Sequence, residues 1–145
     1  MDDIRKISIV SPVYMAENIL DELEDRISNE IGNLKLSFEI ILVEDASPDN
    51  SWKTIEKICL KHNFVKGIKL SRNFGQHYAI TAGVEASNGN VVVLMDCDLQ
   101  DSPSDIKFLL DQYYNGFDIV FTTRIDRKHN FFKKVLSRIY QKSFR

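Results

Sequence analysis

Asp96 and Asp98 stand two positions apart where an apolar run breaks into acid, in VVVLMDCDLQD (91–101). Along extended backbone, side chains at i and i+2 project from the same face. Two carboxylates so placed repel each other unless a cation lies between them or one takes a proton. A hard divalent ion that prefers oxygen, Mg2+ or Mn2+, suits the pair best. Gln100 offers a neutral oxygen, so Asp96, Asp98 and Gln100 form the candidate metal set. Asp101 precedes Ser102-Pro103 and reads as a helix cap. The competing reading is a buried strand that merely surfaces into a polar loop.

Similar groups follow other apolar runs. Ser11-Pro12-Val13-Tyr14-Met15-Ala16-Glu17 contains no glycine. That counts against the glycine-rich turn of a dinucleotide-binding fold and against the GxxxxGK of a Walker-type ATPase. A Pro-x-Tyr turn suits an aromatic or ribose contact, or it is a plain strand-to-helix turn. Asp45, in EDASPD (44–49), can accept hydrogen bonds from a ribose hydroxyl or a base N–H. Asp49 suits a helix start, and Glu44 a solvated strand end. In SRNFGQH (71–77), Gly75 permits a tight turn, Asn73 can cap and Arg72 can reach a phosphate or a carboxylate. His77 reads as a structural residue rather than a general base. Thr122, Thr123, Arg124 and Arg127 close the series. Arginine matches diphosphate oxygens, so a metal and Arg124 at neighbouring strand ends form a diphosphate clamp; the alternative is an ordinary basic surface.

Positioning such groups requires the elements between them. KISIVS (6–11), FEIILVED (38–45), VKGIKLS (65–71), NVVVLMD (90–96) and FDIVFTT (117–123) are rich in Val and Ile and only weakly alternating. That pattern belongs to strands buried on both faces. Helical periodicity fills the gaps at 18–31, 50–62, 76–86 and 104–114, with Ser-Pro pairs at 47–48 and 102–103 near the starts of two of them. Alternation of this kind predicts parallel β-α-β crossovers and an α/β fold with a doubly wound, mostly parallel sheet. In such sheets ligands bind at the carboxyl ends of the strands, near the reversal of strand order.

The chain of 145 residues is long enough for a packed core. Cys59 and Cys97 follow no metal-ligand spacing and read as reduced thiols of a cytosolic protein. No signal peptide and no apolar run near the ~20 residues of a membrane span are expected. The net charge of −2 hides an asymmetry: residues 124–145 carry eight Lys/Arg and one acid, leaving −9 on the first 123. The segment 129–145 places Phe132, Val135, Leu136, Ile139 and Tyr140 at helical spacing among cations. It reads either as a basic amphipathic helix at an anionic surface or as a terminal helix packed on the sheet.

Taken together, SIVSPVYMAEN, EIILVEDASPDNS, IKLSRNFGQHYAITAGVEASNGNVVVLMDCDLQDSP and GFDIVFTTRIDR resemble glycosyltransferase family 2, inverting enzymes with the GT-A nucleotide-diphospho-sugar transferase fold. The third stretch is most similar to the branch that transfers sugars to polyprenyl phosphates, dolichol- or undecaprenyl-linked. The resemblance implies that Pro12, Tyr14, Glu17, Asp45, Asp96 and Cys97 line the nucleotide pocket. It implies that Asp96 and Asp98 are the family's DxD, with Gln100 as a further metal ligand, and that Arg124 faces the donor diphosphate. Asp96, Asp98 and Arg124 are thus the expected catalytic groups. Three departures stand out: Met15 where Asn is usual after the Tyr, Glu44 for the first of a common Asp pair, and Cys97 for a small residue. The resemblance further implies a GT-A core over 1–128, incomplete on its C-terminal side, a basic helix over 129–145, and a fragment of a longer protein.

The expected function is metal-dependent, inverting transfer of a sugar from a nucleotide-diphospho-sugar, a UDP-sugar foremost, to a polyprenyl phosphate or a cell-envelope glycan. The expected location is the cytoplasm, peripheral at the inner face of the membrane, with no nucleic-acid partner. The alternative is a non-catalytic nucleotide-sugar-binding module that lacks the acceptor half. An oxidoreductase on a dinucleotide fold is disfavoured by the missing glycine turn.

Overall fold

Runs of β-branched residues too apolar to face water on either side become the interior of a sheet. The computed structural model describes residues 4–122. Within them, strands β1 (Lys6–Val13), β2 (Ser37–Glu44), β3 (Val65–Lys69) and β4 (Val91–Leu94) alternate with helices α1 (Leu20–Leu34), α2 (Ser51–Lys61), α3 (Gln76–Glu85) and α4 (Asp105–Tyr114). All strand pairs among these residues are parallel, in the order β3-β2-β1-β4. The chain steps outward from β1 to β3 and then returns to the far side of β1, so strand order reverses between β1 and β4.

The side-chain period of two sorts each strand between two layers. Ile7, Ile9 and Val13 of β1 and Ile40 and Leu42 of β2 share a cluster with Leu23 and Ile27 of α1, Ile55 and Ile58 of α2, and Ile106 of α4. Val10, Ile41 and Val43 face the other way, onto Ala79 of α3. Helices therefore cover both faces, which is why β1 and β2 show so little alternation. Gly83 lets α3 approach closely: a Cβ there would overlap Val10 Cγ1 and stand 3.0 Å from Val43 Cγ2.

The fifth expected strand does not form over its described part. Residues 117–122 pair with no strand, and Phe117, Ile119 and Phe121 are exposed. Strand-like composition makes a strand only where a neighbour completes the backbone ladder. Thr123, Arg124, Arg127 and the 129–145 segment lie outside the described residues. Among the described residues, no helix is long and apolar enough to cross a membrane.

At the amino-terminal edge of the sheet, Glu39 is buried at 2 % exposure. Its carboxylate accepts from Ser8 Oγ at 2.7 Å and Asn88 N at 2.6 Å and pairs with Lys6 Nζ at 3.0 Å and Lys66 Nζ at 2.8 Å. One side chain of β2 thereby binds β1, β3 and the turn that leads into β4. Burial opposes its ionisation, but Lys66, Ser8, Asn88 and Lys6 together hold the carboxyl far below the usual carboxylate range.

Candidate functional site

Each strand ends in a loop that must turn sharply toward its helix, and each of these loops contains a residue at positive φ. They are Met15 (53°) after β1, Ala46 (52°) after β2, Gly75 (95°) after β3 and Leu99 (58°) after β4. Only Gly adopts that region without strain. Met15 is exposed, and its backbone N–H donates to Ser47 Oγ at 2.7 Å. Asn tolerates the left-handed region better than Met. Met15→Asn is accordingly expected to raise unfolding stability by about 0.5–1 kcal/mol, measured by urea denaturation, with no change in the loop's hydrogen bond.

These turns surround a cavity of about 360 Å3 at the β1/β4 reversal, lined by Pro12, Val13, Tyr14, Asp45, Asn73, Gly75, Gln76, Asp96, Cys97 and Asp98. Five of the six residues assigned to the nucleotide pocket, Pro12, Tyr14, Asp45, Asp96 and Cys97, line it together. Glu17 does not. Its carboxylate accepts the Asn50 N–H at 2.7 Å while its own N–H donates to Asp49 Oδ2 at 3.2 Å. Glu17 and Asp49 thus lace the loop after β1 to the start of α2.

Asp49 also accepts from Ser47 Oγ at 2.7 Å and Ser51 N at 3.0 Å. Burial raises its pKa, but the bonds from Ser51, Ser47 and Glu17 outweigh that and lower it from 3.8 to about 2. A depressed folded-state value means that its stabilisation is complete above the unfolded value and is lost as pH falls toward the folded one. Wild type is therefore expected to lose about 2 kcal/mol more than Asp49→Asn between pH 4 and pH 2, read from denaturation curves across that window.

Asp45 lines the cavity but is only 4 % exposed. Its Oδ1 accepts the Phe74 N–H and its Oδ2 the Gly75 N–H, each at 2.8 Å. The carboxylate pins the loop after β3 and satisfies donors at the start of α3. Glu44 is not solvated: it is 1 % exposed, accepts the Ser47 N–H, and keeps Oε2 buried with no hydrogen-bond partner among the described residues.

β4 ends at Leu94, and residues 97–98 lie in a turn. The turn, rather than extended i, i+2 spacing, brings Asp96 and Asp98 to one cavity. Asp98 is exposed and its Oδ1 accepts the Gln100 N–H at 3.0 Å. The Gln100 side chain is exposed and outside the cavity lining. Asp101 does not cap α4, whose N-cap is Ser104; its Oδ2 accepts the Asp96 N–H at 3.4 Å. Burial pushes the Cys97 thiol up in pKa against the pull of its Tyr14 backbone contact, and the charge of Asp98 adds to the rise. Cys97 also packs against the main core cluster.

Asn73, Gly75 and Gln76 are cavity residues; motif reasoning gave Asn73 a cap, Gly75 a turn and Gln76 no role. The signal available was their place just after a strand. Arg72 stacks over the Phe74 ring at 4.6 Å. His77 is exposed and outside the lining.

The donor set suits a small hard cation. Three carboxylates line the cavity; both oxygens of Asp45 are taken by backbone N–H groups, and the described residues form no cluster of three or more His, Cys, Asp or Glu able to hold a metal. Mg2+ commonly takes one or two protein carboxylates and completes its shell with water and substrate phosphates, so Asp96 and Asp98 fit.

Residues 8–145 match the family model described as glycosyl transferase family 2. An undecaprenyl-phosphate 4-deoxy-4-formamido-L-arabinose transferase of Proteus mirabilis is 39 % identical over 139 residues, 95 % of this chain and 43 % of the relative. A protein of the same name from Pseudomonas fluorescens is 40 % identical over 137 residues, 94 % of this chain and 40 % of the relative. The chain thus spans about two-fifths of the length of these curated relatives. Among solved structures, glucosyl-3-phosphoglycerate synthase of Mycobacterium tuberculosis with Mn2+, UDP and phosphoglyceric acid superposes at a TM-score of 0.62, with 22 % identity, over 79 % of this chain and 41 % of that one. A Pyrobaculum calidifontis mannosyltransferase with GDP-Man and Mn2+ gives 0.59, with 20 % identity, over 66 % of this chain and 28 % of that one. At such identities these two structures speak to the fold.

Proposed function

We propose, because this chain belongs to glycosyl transferase family 2, that its cavity holds the nucleoside diphosphate of a nucleotide-sugar donor, a UDP-sugar foremost. The sugar then passes with inversion to a polyprenyl phosphate or a cell-envelope glycan. The observation that carries this reading is the convergence of Asp96 and Asp98 with Pro12, Tyr14 and Asp45 in one cavity at the reversal of strand order. The names of the curated relatives support a polyprenyl phosphate as acceptor.

Each group has a task in this reading. Tyr14, half exposed at the cavity wall, offers a ring face to the base. Asp45 keeps the 71–75 loop in place as the opposite wall. Asp96 and Asp98 hold the cation, with Gln100 as a proposed further ligand. A bound Mg2+ or Mn2+ supplies Lewis-acid neutralisation of the departing nucleoside diphosphate. Arg124, outside the described residues, is proposed to face the same diphosphate and to stabilise its growing charge. An acceptor phosphate is already anionic at neutral pH, so attack on the anomeric carbon needs no strong base. The proposed layout places the donor-binding core in 1–128 and a membrane-surface contact in 129–145.

Titration of the chain with UDP- and GDP-sugars, with and without Mn2+, tests the reading. Metal-dependent binding of one donor, followed by transfer to a polyprenyl phosphate, is the expected result. No binding, or binding indifferent to metal, overturns it. Metal-dependent binding without hydrolysis or transfer identifies a binding module instead.

A further inference from the structure

Gln76 opens α3 and sits at the cavity between the loop after β3 and the loop after β4. Its Nε2 donates to Asp96 Oδ1 at 2.8 Å. We propose that Gln76 is a positioning residue for Asp96, orienting that carboxylate toward the cation site. The proposal rests on the metal-site reading above.

Three features make the contact directed rather than incidental. The backbone next to Gln76 is anchored, because the Gly75 N–H is held by Asp45 Oδ2 at 2.8 Å. The backbone of Asp96 is held as well, through its N–H to Asp101 Oδ2 at 3.4 Å. The amide therefore bridges two fixed points that lie 20 residues apart in sequence. Its chemistry also suits the task. A carboxylate has about four lone-pair sites; one amide N–H uses one of them, and its neutrality adds no charge to oppose a cation. Asp98 is oriented in the same manner, by the neutral backbone N–H of Gln100 at 3.0 Å. Each acid of the pair thus receives an uncharged donor, Asp98 locally and Asp96 from another element. Partners that hydrogen-bond a metal ligand typically change metal affinity or activity by about 10–100-fold when removed.

The test compares wild type, Gln76→Ala and Gln76→Lys in UDP titrations with and without Mn2+, alongside thermal melting. Gln76 is exposed, so neither substitution should move the melting temperature. Gln76→Ala is expected to weaken the Mn2+-dependent part of UDP binding about 10-fold, a larger loss than in metal-free UDP binding. Gln76→Lys keeps a donor but adds a positive charge beside the cation, and is expected to weaken Mn2+-dependent binding at least as much. Wild-type Mn2+ dependence retained in Gln76→Ala overturns the proposal and leaves the metal site standing. Absence of Mn2+ dependence in wild type overturns the metal site and this proposal with it.

Discussion

Asp98→Ala is expected to weaken Mn2+-dependent donor binding by at least about 100-fold, the upper end of what loss of an outer partner produces, and to leave the fold untouched. Asp98 is exposed and accepts the local Gln100 N–H, so its removal should change stability by no more than about 0.5 kcal/mol. It also relieves repulsion from Asp96. Stability unchanged and affinity lost is the signature of a residue kept for its ligand. Asp98→Asn refines the result: the amide oxygen still accepts from Gln100, but the charge is gone. Equal losses in both variants assign the effect to charge, whereas binding preserved in Asp98→Asn would assign it to loop shape. Isothermal titration with a UDP-sugar, with and without Mn2+, together with melting curves, separates these outcomes. A metal-dependent affinity unaltered in Asp98→Ala would sink the metal-site reading.

Glu39→Ala is expected to have the opposite profile, a loss of about 3 kcal/mol in unfolding free energy with the donor site formed but the fold weakened. The residue lies at the end of the sheet away from the cavity, so no ligand enters the argument. Truncation leaves the buried Ser8 hydroxyl without its acceptor and frees the Asn88 N–H of the exposed turn. Lys6 and Lys66 are partly exposed, at 32 % and 44 %, and can return to water. The loss therefore falls short of the 3–5 kcal/mol typical of orphaning a fully buried ion at its upper end. Glu39→Gln retains an acceptor and should lose about half as much. The pH dependence is specific. A carboxyl whose folded pKa is depressed stabilises fully above its ordinary value of 4.5 and progressively less as pH falls. The gap between wild type and Glu39→Gln should thus be widest near pH 7 and narrow steadily below about pH 4.5. A gap that stayed constant down to pH 3 would show that the ion pairs with Lys6 and Lys66 contribute nothing measurable.

Strand and helix periods made the α/β alternation legible, and the described elements start and end within about three residues of the expected bounds. The acids at the end of β4 were legible for the same reason: an apolar run that stops in charge marks a strand end. Where expectation and structure part, the missing information is a contact that only folding makes, with the next turn or with a distant element. Glu44 reads as a solvated strand end, yet the turn that follows folds over it and buries it. Glu17 belongs to the pocket motif by position, yet Asn50, 33 residues away, draws its carboxylate elsewhere. Residues 117–122 have strand composition, but composition does not supply a neighbouring edge.

Local chemistry is written in the chain itself: which segments are apolar with what period, where glycine or proline interrupts, and which strand ends carry acid. These properties depend on residues within a few positions of one another, so they survive without knowledge of the fold. Strand order is different, because it depends on how whole elements pack. Only after β4 returns to the far side of β1 do Pro12 and Tyr14 meet Asp96 and Asp98. The same return brings Gln76 within 2.8 Å of Asp96, and the packing of β2 beside the loop after β3 turns Asp45 into its anchor. Side chains carry reach and charge, but the burial and hydrogen bonds that assign them a task are set by contacts between residues that lie 20 to 33 positions apart.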